Sequence, residues 1–202
     1  MAIDRQKIID TLSNLQWTPD DKGLIEKCNV LITRLPSHFW NGFANRLVHK
    51  MPSDLVEAAE YLLYNAAHEC GYHTGYGIIT SQEWQQVIAP MIDKNEDILH
   101  GTYAVLAAWG WADAQVVELV PNQKLIVRAY DYYEADSVKY GHAHRMGAYM
   151  IAGISAAFME LVYAGDYDPS GKSIGTFIAK QYKGLECGDP YGEFIVTRAI
   201  EH

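Results

Sequence analysis

The chain has 202 residues, 49% of them hydrophobic and 20% charged, with a formal net charge of −9. That balance suits a packed domain with a helical extension and excludes a disordered chain, while the acidic surplus, with no basic run against it, argues against nucleic acid as a partner. No apolar run approaches the roughly 20 residues that span a bilayer, and residues 1–12 lack the apolar stretch of a signal peptide, so a soluble cytoplasmic protein is expected.

Residues 1–52 read as a helical extension, a cap or a dimerisation element. Ile8, Ile9, Leu12 and Leu15 recur at helical spacing. Thr18-Pro19-Asp20 signals a helix start, with Thr18 as N-cap and Pro19 in the first turn. Residues 23–35 are then expected to run as helix to Pro36, and residues 37–51 predict another short helix closed by Pro52. Ser53 can cap a long helix whose apolar stripe includes Leu55, Ala59, Leu62, Leu63 and Ala66. Gly71, Gly75 and Gly77 either loosen or stop that helix, or pack it very close to another element. Thr80 and Glu83 hold the paired positions of a capping box that opens a helix over 82–92. A further helix spans 95–110 and ends at Gly110.

The hydrophobic period then changes from near 3.6 to 2. Residues 111–120 and 124–130 flank Pro121-Asn122-Gln123, which predicts a β-hairpin. Residues 131–144 read as loop or strand end. Residues 145–163 form the most apolar helix, and its Gly147, Ala148, Ala152, Gly153, Ala156 and Ala157 permit close packing. After a turn at 165–173, two strands are expected on either side of the turn Gly188-Asp189-Pro190. Helices, hairpin, long helix, hairpin: this order predicts an α+β fold, an antiparallel sheet packed against helices, because hairpins cannot join parallel strands.

The chain carries 14 Tyr and 5 Trp against 5 Phe, so most of its aromatic rings bear a polar handle. That suits a Tyr-rich core and surface, or a pocket for a flat molecule of mixed polarity. Tyr72, His73 and Tyr76 are the first ligand-binding candidates. A histidine among tyrosines can orient a hydroxyl or carboxylate while the rings supply apolar walls; the alternative is a satisfied loop residue. Trp109 and Trp111 straddle Gly110, so one can face a pocket while the other packs outside. Alternation places Tyr130 and Tyr132 on one face of the hairpin and Tyr133 on the other, at a pocket rim or a solvated edge. Tyr149 and Phe158 are core positions of the apolar helix that can also touch a ligand.

His68, Cys70 and His73 invite a metal reading. Cys70 and His73, three apart, share a helix face, but His68 and His73, five apart, turn away from each other. A third ligand would have to come from His142 or His144, and the alternative is unrelated polar residues near a helix end. A haem or other tetrapyrrole, which needs only one axial histidine, stays open. Cys28, Cys70 and Cys187 are too few and scattered for a disulfide framework and point to a reducing compartment. No Ser-His-Asp triad, phosphate loop, carboxylate pair or nucleotide-binding glycine fingerprint is legible.

Four features occur in a familiar order: the Gly-rich stretch at 71–77, the pair Gly110-Trp111, the small-residue segment Gly147–Gly153, and a closing segment, Gly184–Phe194, patterned like Cys-x-x-x-Gly-Asp-Pro-x-Cys-x-Phe. Over roughly residues 54–200 the chain resembles the vinyl-reductase-type (4-vinyl reductase) or hydrocarbon-binding domain, the sensory module of aromatic-responsive transcriptional activators. The resemblance implies a small-molecule-binding domain over 53–202, with a pocket between helices and sheet for a small hydrophobic or aromatic molecule. Together with the apolar faces of the small-residue helix and the N-terminal helices, it predicts a homodimer, and a sensor without a DNA-binding or ATPase segment would need a separate output protein. The related fold occurs in haem-based nitric-oxide sensors and Golgi transport-particle subunits, so sensor, carrier and assembly roles stay open, as does an enzyme handling a tetrapyrrole or aromatic acid. In zinc-containing members the closing segment supplies metal ligands at positions that here are Gln181, Gly184 and Gly192; none offers a thiolate or carboxylate. The remaining family cysteine falls where this chain has His142 and His144, and Cys187 stands at the wrong spacing to substitute. A turn frame without zinc is expected.

Overall fold

The computed structural model describes residues 3–33, 35–135 and 145–199. Helix α1 (Arg5–Ser13) begins at Asp4, whose carboxylate accepts the Lys7 N–H at 3.0 Å, and it buries Ile8 and Leu12. The expected helix from Thr18 to Pro36 is absent. Asp20 instead accepts the N–H groups of Lys22 and Leu24 at 2.9 and 2.8 Å, closing a turn. A small hairpin comes next, β1 (Ile25–Lys27) paired antiparallel with β2 (Val30–Ile32). Cys28 and Asn29 form its two-residue turn at φ of 49° and 57°, the left-handed geometry that matches strand twist and that Asn tolerates. The apolar spacing was helical, but turn chemistry at 28–29 decided the outcome. Helix α2 (Ser37–Lys50) lies where the sequence placed it.

Helix α3 (Val56–Thr80) runs unbroken through Gly71, Gly75 and Gly77. Ser81, rather than Thr80, caps the next helix, α4 (Gln82–Val87), by accepting the Trp84 N–H at 3.1 Å; the Thr80 hydroxyl donates back to the Tyr76 carbonyl. Pro90 has no N–H to give, and beyond α4 the chain makes only one 3-10 turn, Ala89–Met91. Helix α5 (Asn95–Ala108) starts where Asp97 reaches back to the N–H groups of Asp93 and Lys94. It ends at Gly110, φ 72°, where Gly110 N and Trp111 N return to the carbonyls of Ala107 and Leu106.

Four strands make one antiparallel sheet in the order β3-β4-β6-β5: β3 (Ala112–Val120), β4 (Lys124–Tyr132), β5 (Phe177–Lys183) and β6 (Gly192–Arg198). Between β4 and β5 lies helix α6 (Tyr149–Tyr163). Leu125, Val127, Ala129, Phe177, Phe194 and Val196 are buried in a core shared with α5 and α6. The alternation expected at the end of β4 fails. Ala112 pairs with Tyr132 but Ala114 pairs with Ala129, so a bulge at Tyr130 shifts the phase by one residue. Tyr130 is therefore 44% exposed and Tyr132 3%, on opposite faces rather than one.

Helix α3 packs along α6, and glycines set the distance between them. A Cβ on Gly153 would lie 2.5 Å from the His68 nitrogen and 2.7 Å from the Ala67 carbonyl carbon; one on Gly71 would lie 2.7 Å from the Ile154 Cα. These are backbone atoms, which no rotamer change moves. Gly153→Ala is expected to lower stability, since overpacking of about 1–3 kcal/mol exceeds the ~1 kcal/mol that Ala gains over Gly inside a helix. A urea midpoint equal to or above wild type would contradict this packing.

Candidate functional site

The C-terminal turns of α3 present Tyr72, His73 and Tyr76, so these residues sit on helix rather than loop. The segment between α6 and β5, residues 164–176, folds back over them like a strap. Its Tyr167 ring stacks on Tyr76 at 3.6 Å between centroids and 5° between planes, and on Tyr72 at 5.2 Å and 24°. The Tyr167 hydroxyl lies 2.8 Å from His73 Nδ1. The Tyr72 hydroxyl accepts the Asp168 N–H at 3.0 Å and the Ser173 hydroxyl at 2.7 Å. Tyr72 is buried, while His73, Tyr76 and Tyr167 are half-buried. Burial, then the neighbouring Tyr72 and Tyr76, push the Tyr167 phenol above its ordinary range. Three members of this cluster were legible in the sequence and Tyr167 was not; its only signal was a lone ring beside an Asp-Pro-Ser-Gly turn, where nothing calls for one.

Beneath the strap, His68 Nε2 meets Glu160 Oε2 at 2.8 Å, both side chains being almost fully buried. Glu160 Oε1 accepts the N–H groups of Gly175 and Phe177 at 2.7 and 3.2 Å, fixing the strap where it enters β5. Cys70 is exposed and 3.9 Å from Thr74 Oγ1. His68, Cys70 and His73 thus take three different partners. Among the described residues no group of three or more His, Cys, Asp or Glu side chains could hold a metal ion; His142 and His144 lie outside the described residues.

Gln181, Gly184 and Gly192 do converge, on Glu186. This carboxylate, 6% exposed, accepts from the Tyr132 hydroxyl, from Gln181 Nε2 at 2.7 Å and from Gly147 N at 3.1 Å. The Tyr132 oxygen in turn accepts the Leu185 N–H, and Gln181 Oε1 accepts the Ala148 N–H. A Cβ on Gly184 would fall 2.7 Å from Glu186 Cδ and from Gln181 Nε2, and one on Gly192 would fall 2.8 Å from the Tyr132 ring. The two glycines leave the room that the phenol, amide and carboxylate fill. One carboxylate with a phenol and an amide does not fit the nitrogen and sulfur donor set of a structural zinc. Burial and the Glu186 charge raise the Tyr132 pKa, keeping the phenol protonated and donating.

A second carboxylate, Glu134, faces the start of α6. It accepts the N–H groups of Met150 and Ile151 at 2.9 and 3.0 Å and the Trp40 indole N–H at 2.8 Å. Asn41 adds a hydrogen bond to the Tyr133 carbonyl, so α2 is tied to this turn twice. Tyr149 and Arg145 both donate to Glu60 on α3. Burial pushes the Glu134 carboxyl from 4.5 up to about 7, with the nearby Glu186 adding to the rise, against the three donors that pull it down.

The two tryptophans join different clusters on either side of Gly110, with their rings still edge-on at 6.2 Å. Trp111 packs on the sheet core, and Trp109 packs on the cluster around Ile8, Leu12 and Trp84, edge-on to Trp17 at 5.7 Å. The Trp109 indole N–H is buried without a hydrogen-bond partner among the described residues. Phe158 is 1% exposed and lies edge-on to Tyr103, whose hydroxyl donates to Ser155. Tyr130 stands on the outer face of the sheet beside Tyr191.

No protein-family model matches the sequence, and no curated protein sequence does. Solved structures do match. The fold is similar to the phenol-responsive sensory domain of the transcription activator PoxR, solved with phenol: TM-score 0.71 and 12% identity, over 98% of this chain and 92% of that one. It is also similar to a trafficking protein particle complex subunit 3 from Naegleria fowleri covalently bound to palmitic acid, with TM-score 0.55 and 11% identity over 81% and 93% of the two chains. These likenesses establish the α+β fold, an antiparallel four-stranded sheet with helices, shared with a sensory domain. They do not show the vinyl-reductase family.

Glu186→Ala strands the Tyr132, Gln181 and Gly147 donors and is expected to cost about 3 kcal/mol in urea unfolding, while a chelator leaves the wild-type curve unchanged. Chelator-induced destabilisation would contradict the zinc-free assignment. For Glu134 the folded-state pKa lies above the unfolded one, so its contribution is complete below pH 4.5 and is lost as pH rises through about 7. Between those limits wild-type stability is expected to fall relative to Glu134→Gln, which cannot ionise. Parallel unfolding curves for the two proteins across that window would refute it.

Proposed function

We propose that this chain is a small-molecule-binding protein for a hydrophobic or aromatic ligand, acting as sensor, carrier or accessory protein, with a vinyl-reductase-type kinship. The observation that carries the reading is the cluster on α3: Tyr72 and Tyr76 each stack on the Tyr167 ring, and His73 lies at hydrogen-bond distance from its hydroxyl. Offset or parallel ring faces bind flat apolar molecules, and one well-placed polar group fixes their orientation. A fold similar to a phenol-responsive sensory domain supports the same reading.

A homodimer belongs to this proposal. Helix α2 leaves Phe39 and Phe43 56% and 51% exposed, along a groove of about 570 Å3 that Leu47 and Met51 also line. Such an apolar face is what an equivalent face on a second copy would cover.

Native mass spectrometry of protein from its own host, paired with an absorption spectrum, tests both parts. A dimer mass carrying an organic adduct is expected, and a Soret band would assign that adduct to the tetrapyrroles. A bare protein that also gains no adduct or thermal shift from a panel of aromatic compounds would overturn the ligand-binding reading; a monomer mass would overturn the dimer.

A further inference from the structure

The strap over α3 brings one of the chain's own side chains into the aromatic cluster, and the chemistry of that side chain identifies the slot. A tyrosine side chain is a 4-alkylphenol. Tyr167 places its ring against Tyr76 at 3.6 Å, flanks it with Tyr72, and holds its hydroxyl 2.8 Å from His73 Nδ1. The phenol is therefore met by two stacked rings, by the His73 ring edge-on at 5.9 Å, and at its hydroxyl. We propose that Tyr72, His73 and Tyr76 form a phenol-binding slot occupied by Tyr167 as an internal ligand, which a free phenol displaces, releasing the strap. The inference rests on the ligand-binding reading above and gives its site a ligand class and a regulator.

The strap is built to leave as a unit. Gly165 and Gly175 flank it at φ of 101° and 104°, and a Cβ at either would meet nothing within 4 Å. Between them the segment is folded on itself: Asp168 Oδ1 accepts the Ser170 N–H and hydroxyl, Gly171 N bonds to Asp168 O, and Ile174 N bonds to Gly171 O. Its attachments to α3 include the ring stack, the His73 contact and the two hydrogen bonds to the Tyr72 hydroxyl. Gly175 and Phe177 stay on Glu160 at the exit, so release needs no disruption of β5.

A tethered competitor acts at an effective concentration on the order of millimolar, and the affinity for any outside ligand is multiplied by the fraction of slot that stands open. Removing the tethered ring should reverse that. The test is calorimetric titration of 4-methylphenol into wild type, Tyr167→Ala and the double variant Tyr167→Ala/Tyr76→Ala. Tyr167→Ala is expected to bind at least about tenfold more tightly than wild type, and the double variant to lose that gain. In wild type, 4-methylphenol should speed trypsin cleavage after the exposed Lys172. Equal affinity in wild type and Tyr167→Ala would overturn the internal-ligand proposal while leaving an aromatic site elsewhere in the chain. No binding to either protein would also overturn it; only a blank aromatic panel and a bare native mass would remove the ligand-binding reading as well. Should Tyr167→Ala not fold, Tyr167→Phe keeps the stack and drops the hydroxyl. An affinity for 4-methylphenol unchanged from wild type would then overturn the proposal.

Discussion

The contact on which the rest depends is the backbone approach of α3 to α6 at Gly71 and Gly153. Because Gly153 sits under the His68 nitrogen and Gly71 under Ile154, the two helices lie closer than side chains would allow. Dispersion between closely packed surfaces is individually small but adds along the whole interface. The approach also fixes orientation. It turns His68 inward to Glu160 and leaves Tyr72, His73 and Tyr76 directed at the segment after α6. A chain with larger residues at 71 and 153 would separate the helices and pull Glu160 away from both His68 and the strap exit.

The N-terminus of α6 is the second point at which the fold is decided. A helix start leaves N–H groups unsatisfied and carries partial positive charge. Here Glu134 takes two of those donors, and just upstream Glu186 and Gln181 take the N–H groups of Gly147 and Ala148. Acceptors from the end of β4, from β5 and from the closing turn thereby meet at one helix end. In a zinc-bearing frame a metal would tie such segments together. Here the tie is made of hydrogen bonds, and it draws in α2 through Trp40 as well. Burial and the nearby Glu186 charge raise the Glu134 pKa, so this joint responds to the protonation of Glu134.

Sequence range separates the features that were legible from those that were not. Helical apolar periodicity in α3, α5 and α6, alternation in β3 and β6, and the turns between them are local, and they carried the fold class. The hairpin at 25–32 was hidden because Leu24 and Leu31 are exposed, so apolar spacing there reported surface rather than a buried face. The bulge at Tyr130 was hidden because a one-residue slip depends on the partner strand's register, which alternation within one strand does not contain. The resemblance marked Gly184 and Gly192 as positions without a zinc ligand, and nothing local marked them as space for Tyr132 and Glu186, since the phenol reaches the closing turn from β4, 54 residues before the carboxylate it meets. Tyr167 escaped for a similar reason: its histidine partner on α3 lies 94 residues earlier, beyond the reach of any local spacing rule.

The aromatic cluster and the helix crossing are joined through one side chain. Glu160 uses one oxygen to hold His68 on α3 and the other to hold the strap where it becomes β5. The strap's far contacts, Tyr167 on Tyr76 and Asp168 on Tyr72, are made to the same helix further toward its C-terminus. One end of the strap is therefore anchored in a fully buried pair, and the other rests on Tyr72, which is buried, and on the half-buried Tyr76. Free energies of local opening follow burial and hydrogen bonding, so the ring contacts yield before the Glu160 contacts do. Under the proposed reading, that gradient would let a ring-binding event act on the strap without loosening the crossing beneath it.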